Sequence, residues 1–388
     1  MGHSGALDGV VVADFSRILA GPMATAALGD LGATVVKVER PGGGDDTRSW
    51  GPPWTADGEA TYYLTANRNK RSVALDLTDP ADLERAVALA SRADVLVENF
   101  RPGVADRLGL GYERLRTDNP GLVYASVTGF GSRGAGADLG GYDFLMQAVG
   151  GLMSITGWPD GEPTKVGVAV VDVLASLNLQ VGILAALQAR ERTGEGQRVE
   201  VSLMNAVLAG LVNQASSFLN AGVLPGRLGN EHPSIVPYQT LRAADRPLAV
   251  AVGNDAQFSK LCQVIGAPEL GRDVRYAGNG GRTAHRAELT AALEAALGRR
   301  PAAEWVSLLG AAGLPAGVVN DVAEAFAYAE KLGCEPIVEL AREDGTVVRQ
   351  PANPVRLSAT PVAYRLPPPR LDEHADWFDN WMSDEGER

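Results

Sequence analysis

One carboxylate, Asp172, stands between the small apolar run Val166-Gly-Val-Ala-Val-Val171 and a long apolar helical pattern reaching about Arg190. That spacing predicts a side chain at a helix N-terminus, where free backbone N–H groups and the helix dipole favour an anion. A carboxylate held there in a partly dry site can act as a covalent nucleophile. Aspartate is also among the best N-cap residues, so the segment by itself supports a cap as well as a nucleophile. Cations come next. Arg40 directly follows the β-branched run at 34–39, and Arg101 and Arg107 follow the run at 94–98 through Asn99-Phe100-Arg101-Pro102-Gly103. Guanidinium groups at strand ends suit a ligand with several phosphates, although a solvated surface arginine looks the same taken singly. The run Pro41-Gly-Gly-Gly-Asp-Asp46 lacks the Gly-Lys-Ser/Thr of a phosphate loop and the spacing of a dinucleotide fingerprint, and reads as a flexible loop.

The elements that must position these residues follow from periodicity. Strand-type runs at 10–13, 34–39, 72–77, 94–98 and 122–127 alternate with helical stretches, one ending near Leu31 and one opening at Asp79-Pro80 and running to about Arg92. This alternation implies βαβ units around an open, mainly parallel sheet, a Rossmann-like α/β domain. The long helix stops at Thr193-Gly-Glu-Gly196, and residues 199–220 read as a second helix. A Pro/Gly-rich stretch at 222–237 then precedes a new strand at 248–252. The expected organisation is a large α/β domain over 1–224, a smaller inserted α/β domain over 225–330, and a Pro-rich segment over 331–388. That last segment, with Pro351, Pro354, Pro361 and Pro367 to Pro369, is too irregular for a core of its own and is expected to return to the large domain.

At 388 residues the chain exceeds a comfortable single core, and 45% hydrophobic with 21% charged residues is an ordinary globular balance. A net charge of −12 and a pI near 4.9 argue against nucleic acid and against an anionic membrane surface, while leaving room for a local cationic pocket. Cys262 and Cys334 are far apart, without CxxC or metal-type spacing, which fits a reducing cytoplasm. Met1-Gly-His-Ser-Gly5 lacks the features of a secretory signal, and no apolar run reaches about 18 uninterrupted residues, so no membrane span is expected. The four histidines, His3, His232, His285 and His374, are too scattered for a metal site.

Five segments occur in order: Asp14-Phe-Ser-Arg-Ile-Leu-Ala-Gly-Pro22, Leu31-Gly-Ala-Thr-Val-Val-Lys-Val-Glu-Arg40, Asn67-Arg-Asn-Lys-Arg-Ser-Val-Ala-Leu-Asp76, Val97-Glu-Asn-Phe-Arg-Pro-Gly103 and Arg192-Thr-Gly-Glu-Gly-Gln-Arg-Val199. Together they resemble the family III CoA-transferases, the CaiB/BaiF family, which includes α-methylacyl-CoA racemase. The similarity spans residues 7–360. The resemblance implies an interlocked homodimer, each chain threaded through the other, with a large domain built from both chain ends and a smaller domain inserted between. It implies CoA or acyl-CoA as substrate with no permanently bound cofactor, and a carboxylic acid as the second substrate. By position, Asp172 matches the catalytic aspartate. Arg40 matches a CoA phosphate or adenine contact, and Leu19, Ala20, Leu75, Asp76, Leu77, Thr78, Asn99, Phe100, Arg101 and Arg107 match other CoA contacts. Gly140, Gly141, Tyr142 and Asp143 match a segment beside the reacting centre.

The implied chemistry is acyl exchange through an enzyme-bound aspartyl-CoA thioester, with oxyanion donors expected from the helix N-terminus at 172 and a glycine-containing loop. Val252-Gly-Asn-Asp255 follows a strand where some family members carry a glycine-rich lid, but it holds a single glycine. The rival reading is the racemase branch, which moves the α-proton with a His and an Asp. Here the corresponding triplet is Gly141-Tyr142-Asp143, and a tyrosine of pKa about 10 is a poor base at neutral pH, which favours the transferase. Tyr142 then reads either as a direct participant or as an aromatic packed beside CoA. Asn230-Glu-His-Pro-Ser-Ile-Val-Pro-Tyr-Gln239 resembles a stretch of transferases that move CoA between succinate and other dicarboxylates. His232 there is either a ligand for a distal carboxylate or merely solvated. A non-catalytic CoA-binding protein would leave Asp172 idle.

Overall fold

In the computed structural model, which describes residues 5–384, the apolar runs of the first half become β1 (Val11–Asp14), β2 (Thr34–Glu39), β3 (Lys70–Ala74), β4 (Val95–Glu98) and β5 (Val123–Thr128), joined by β6 (Arg198–Ser202). His3 and most of the segment weighed as a secretory signal lie outside the described residues. Every neighbouring pair is parallel, and the order is β3-β2-β1-β4-β5-β6. Parallel neighbours need crossover connections, and these cover both faces of the sheet. α1 (Ala20–Asp30) joins β1 to β2, α2 (Pro80–Arg92) joins β3 to β4, and α3 (Asp143–Val149) and α4 (Val170–Thr193) lie between β5 and β6. α5 (Leu203–Gly210) and α6 (Val212–Ala221) follow β6.

Side chains alternate across each strand. Val12, Val95, Val97 and Val123 pack on one face with Ala24 and Leu28 of α1 and with Ala175, Leu179 and Ile183 of α4. Ala13, Val36, Leu96 and Tyr124 pack on the other with Ala86, Leu89 and Ala90 of α2 and with Phe378. Because both faces are buried, the strands read as continuous apolar runs. Residues 199–220 do not form one helix. Val199 and Val201 pack on the first core while β6 pairs with β5 from Tyr124 opposite Arg198 to Thr128 opposite Ser202. Ser202 then caps α5, its side chain accepting from the Asn205 amide.

α4 is long and apolar enough to cross a bilayer by length and composition, yet 44% of its most apolar window is buried as the crossover between β5 and β6. Its other side carries Leu177, Val181 and Leu184, which are 49%, 68% and 37% exposed.

The chain forms two compact units. The large one runs to Met153, resumes over Lys165–Leu224 and continues from Glu335; the small one takes Ser154–Thr164 and Pro225–Cys334. The excursion at 154–164 coincides with the turn-forming run Gly157-Trp-Pro-Asp-Gly-Glu-Pro163, which the boundaries expected from sequence did not use. The small unit has an antiparallel sheet of Tyr238–Arg242, Pro247–Ala251 and Ala316–Val318, packed with helices Asp255–Val264, Arg286–Leu297 and Ala302–Ala311 around Leu248, Val250, Phe258, Leu261, Leu293 and Trp305. The C-terminal segment is more regular than its prolines suggest. It contains an antiparallel pair, Ile337–Ala341 with Val347–Pro351, and the helix Ala375–Ser383, whose Phe378 is fully buried in the large unit's second core. Asn69 holds the intervening chain, its side chain accepting from the amides of Arg365 (2.7 Å) and Leu366 (3.0 Å).

Candidate functional site

The strand order reverses at β1, so the connections leaving the carboxyl ends of β1 and β4 part there, and open α/β sheets bind ligands at such a switch point. A cavity of about 190 Å³ lies at this place. It gathers Leu19, Ala20, Asn99, Phe100, Arg101, Gly140, Gly141, Tyr142 and Asp172 from the residues expected by sequence. Arg40, Arg107, Asp143 and residues 75–78 are not among its lining.

Asp172 is not the helix cap. α4 begins at Val170 with Ala169 in the cap position and no side-chain cap, which puts Asp172 third in the helix. The capping carboxylate is Asp143, whose Oδ1 accepts from the amides of Val171 (2.7 Å) and Asp172 (3.4 Å). Its Oδ2 accepts from Gln147 Nε2 at 2.6 Å, and Gln147 Oε1 in turn accepts from the Val166 amide at 2.8 Å. Asp143 thus ties α3 to the start of α4. Among the described residues no group donates to the Asp172 carboxylate. Burial first, and the negative charge of Asp143 second, push its carboxyl up to about 7. Below that pH Asp172 is protonated and is not a nucleophile, so the rate should rise as pH increases through about 7. Asp143→Asn keeps an acceptor for the amides but removes the charge. The acid limb of kcat measured against pH is therefore expected to move to lower pH, and an unmoved limb would separate it from Asp172.

The amides that the sequence offered as oxyanion donors at α4 are already engaged by Asp143. The start of α1 is the alternative: Leu19 occupies its cap position without a side-chain acceptor, and Leu19 and Ala20 line the cavity. The chain reaches that position through Ile18, a β-branched residue at φ 73°, a left-handed conformation costing about 1–3 kcal/mol that persists only when surroundings over-determine it. Those surroundings are polar. Asp45 accepts from the Ile18 amide at 3.2 Å, Lys37 Nζ donates to the Ser16 carbonyl at 3.0 Å, and Asp14 accepts from the Ser16 amide at 3.0 Å. Asn99 fastens the next residue from β4, accepting from the Arg17 amide (2.9 Å) and donating to its carbonyl (2.8 Å). Beneath lie two fully buried ion pairs, Lys37–Asp45 at 3.0 Å and Lys70–Asp14 at 2.9 Å. Burial alone would raise the Asp14 carboxyl, but Lys70 and Lys37, with hydroxyl donation from Ser16 and Thr25, hold it at about 2.

The remaining expected residues are spread along the same carboxyl edge. Arg40 donates through Nε to the Gly44 carbonyl (3.0 Å) and through Nη2 to Asp46 Oδ1 (2.5 Å). Leu75 is core, and Asp76 Oδ1 accepts from the Thr78 amide (2.9 Å) and hydroxyl (2.7 Å) in a local turn. Arg107 ends the short helix Val104–Arg107 and is exposed. Tyr142 lines the cavity and is 65% exposed, so among the described residues no protein group of this chain packs over its ring. Gly141 is a close approach: a Cβ there would lie 2.5 Å from the Cα of Gly129. His232 is occupied within the small unit, with Nδ1 accepting from the Ser234 amide at 3.0 Å and the ring 5.2 Å from that of Tyr238. The segment 252–255 is a strand-to-helix turn in which Asn254 caps the following helix.

Several residues in or near this site were not singled out from the sequence. Arg17 and Asp46 line the cavity, and Arg17 was detectable by the strand-end rule that singled out Arg40. Tyr62 has its hydroxyl pKa raised by burial and then by the charges of Asp172 and Asp143; its ring meets Trp50 edge-on at 5.3 Å. Glu98 is buried at the end of β4 and accepts from the Phe100 amide at 2.8 Å, yet burial lifts its carboxyl to about 7. It faces a second cavity of about 240 Å³ that shares Phe100 and Arg101 with the first. Among the described residues no cluster of three His, Cys, Asp or Glu side chains could hold a metal.

A family model described as CoA-transferase family III matches residues 7–375. The succinate–glutarate CoA-transferase of Agrobacterium fabrum is 43% identical over 373 residues, covering 95% of this chain and 93% of that protein. The acetyl-CoA:oxalate CoA-transferase of Acetobacter aceti is 42% identical over 371 residues, covering 95% and 94%. The solved structure of a CaiB/BaiF family protein from Brucella suis matches with a TM-score of 0.88 at 40% identity, covering 98% of this chain and all of that one.

Proposed function

Since the chain belongs to CoA-transferase family III, we propose that it moves CoA from an acyl-CoA donor to a free dicarboxylic acid through an aspartyl-CoA thioester on Asp172. The observation that carries this reading is one undonated, half-buried carboxylate in a cavity that also holds arginine side chains and the start of α1. Asp172 attacks the donor thioester carbonyl; the C–S bond breaks, leaving a mixed anhydride and CoA thiolate. The thiolate attacks the aspartyl carbonyl and the donor acid departs as a carboxylate, leaving aspartyl-CoA. The acceptor carboxylate then attacks aspartyl-CoA, and the released thiolate takes the acceptor's acyl group, returning Asp172 as a carboxylate. Each tetrahedral intermediate develops an oxyanion, and the first backbone amides of α1, where Leu19 and Ala20 line the same cavity as Asp172, are the donors assigned to it. Residues 75–78, Arg40 and Arg107 follow the ends of β3, β2 and β4, and the same reading assigns them to the adenosine end of CoA.

The dicarboxylic acceptor is supported by the relatives named for glutarate and oxalate. The racemase reading lacks its second base, because among the described residues no histidine lines the cavity and Tyr142 holds the position. Mass spectrometry of the protein with succinyl-CoA or acetyl-CoA and a panel of dicarboxylic acids should show new CoA esters. Deuterium uptake at the α-carbon of a 2-methylacyl-CoA from heavy water, without CoA exchange, would instead make it a racemase.

A homodimer belongs to the same proposal. Besides the exposed side of α4, Leu208 on α5 and Val212, Phe218 and Leu219 on α6 are 47%, 67%, 55% and 76% exposed, apolar side chains of the kind that a subunit interface covers. Light scattering at micromolar concentration is expected to give twice the 40.6 kDa chain mass, and Val181→Asp to reduce it. An active monomer would remove the dimer from the proposal.

A further inference from the structure

Arg17 and Asp46, which line the cavity, and Arg40, which is paired to Asp46 just outside that lining, are not explained by the chemistry at Asp172. Asp46 Oδ1 accepts from Arg40 Nη2 at 2.5 Å, and its Oδ2 lies 3.3 Å from Arg17 Nη1. One carboxylate therefore holds two guanidinium groups that come from different strand ends, β1 and β2. We propose that Arg17 is a phosphate-binding residue for CoA esters and that Asp46 is its internal competitor, occupying Arg17 and Arg40 until a phosphate displaces it. This rests on the CoA-transferase reading above.

Four observations support it. The backbone of Arg17 is fixed at the switch point by its two hydrogen bonds with Asn99, so the guanidinium has a defined origin beside the cavity. The Asp46 carboxylate is not needed to start its own turn, because Asp46–Ser49 is capped by Asp45, which accepts from the Thr47 amide. The three side chains are 46%, 33% and 56% exposed for Arg17, Asp46 and Arg40, unlike the dry Lys37–Asp45 pair alongside. Exposed pairs of this kind are weak and exchangeable. Finally, Arg101 lines the same cavity and, among the described residues, has no carboxylate within ion-pair distance. With Asp46 displaced, Arg17 and Arg101 in the lining and Arg40 beside it are three guanidiniums without a carboxylate partner. A phosphate offers each a charge-assisted and geometrically matched acceptor, better than a shared carboxylate. A carboxylate beside bound phosphate repels it, so Asp46 weakens CoA binding and hastens its release, a step that often limits turnover.

Calorimetric titration with CoA of the wild-type protein, Arg17→Gln and Asp46→Asn tests the assignment, with thermal melts to confirm that these exposed changes leave the fold intact. Arg17→Gln is expected to raise the Kd for CoA by roughly tenfold and to flatten its dependence on salt. Asp46→Asn is expected to lower Kd by about threefold to tenfold. If Asp46→Asn weakens CoA as Arg17→Gln does, Asp46 is a positioning residue and the competitor assignment fails. If Arg17→Gln leaves CoA binding unchanged and raises only the KM for the acceptor acid, Arg17 binds the acid and the phosphate assignment fails. Wild-type binding with two indifferent variants overturns this inference alone, whereas a wild-type protein that binds no CoA overturns the underlying reading.

Discussion

Asp172→Asn is expected to lower kcat for CoA transfer by about 10⁴-fold or more, the scale seen when a nucleophile is removed, while leaving the fold and CoA binding in place. The amide has the shape of the carboxylate, and the cap of α4 is supplied by Asp143, so among the described residues no hydrogen bond of the fold depends on the Asp172 carboxylate. Substitution therefore isolates chemistry from stability. With acyl-CoA and no acceptor, the wild-type protein should carry an adduct on the peptide containing Asp172. Borohydride or hydroxylamine should trap it, and Asp172→Asn should show none. Near-normal turnover by the asparagine variant would leave Asp172 without a covalent role. Because burial and Asp143 raise the carboxyl to about 7, adduct formation in the wild type should also be faster at pH 8 than at pH 6.

Lys70→Ala is expected to cost about 3–5 kcal/mol of stability, because it strands the Asp14 carboxylate in a fully buried position. Lys70 Nζ also donates to the Pro22 carbonyl (2.8 Å) and Asn67 Oδ1 (3.1 Å), and these lose their donor as well. The double change Asp14→Asn with Lys70→Met should be milder than Lys70→Ala, since no charge is then left unpaired. Chemical denaturation at neutral pH measures both. The pH dependence has a definite sign. Asp14 is held at about 2 against an ordinary 3.8, so its contribution is complete above 3.8 and is lost as pH falls towards 2. In Lys70→Ala the largest attractive partner is gone, and that part of the acid sensitivity should shrink. A variant as stable as the wild type would mean that the network under Ile18 tolerates water.

What the sequence determined was local. Val35, Val36 and Val38 of β2 and Val95, Leu96 and Val97 of β4 announce buried strands because each residue's β propensity and apolarity act wherever the strand pairs. Asp172 announced a helix start for the same reason, and Arg40 and Arg101 were legible as strand-end cations because strand ends are fixed by adjacent residues. The tertiary structure decided what depends on distant partners. β6 is a strand rather than the first turn of a helix because β5 offers it a parallel edge. Asp143, 29 residues before Asp172, takes the capping role because α3 packs against α4, and it is that proximity, with burial, that raises the Asp172 carboxyl. Ile18 adopts its left-handed turn because Asp45, Lys37 and Asp14 converge on the loop from β2, its following turn and β1. Asp46 can bridge Arg17 and Arg40 only where the ends of β1 and β2 lie side by side. Hydrogen bonds and charge interactions act over a few ångströms of space rather than of sequence, so they appear only when the sheet order brings those ends together.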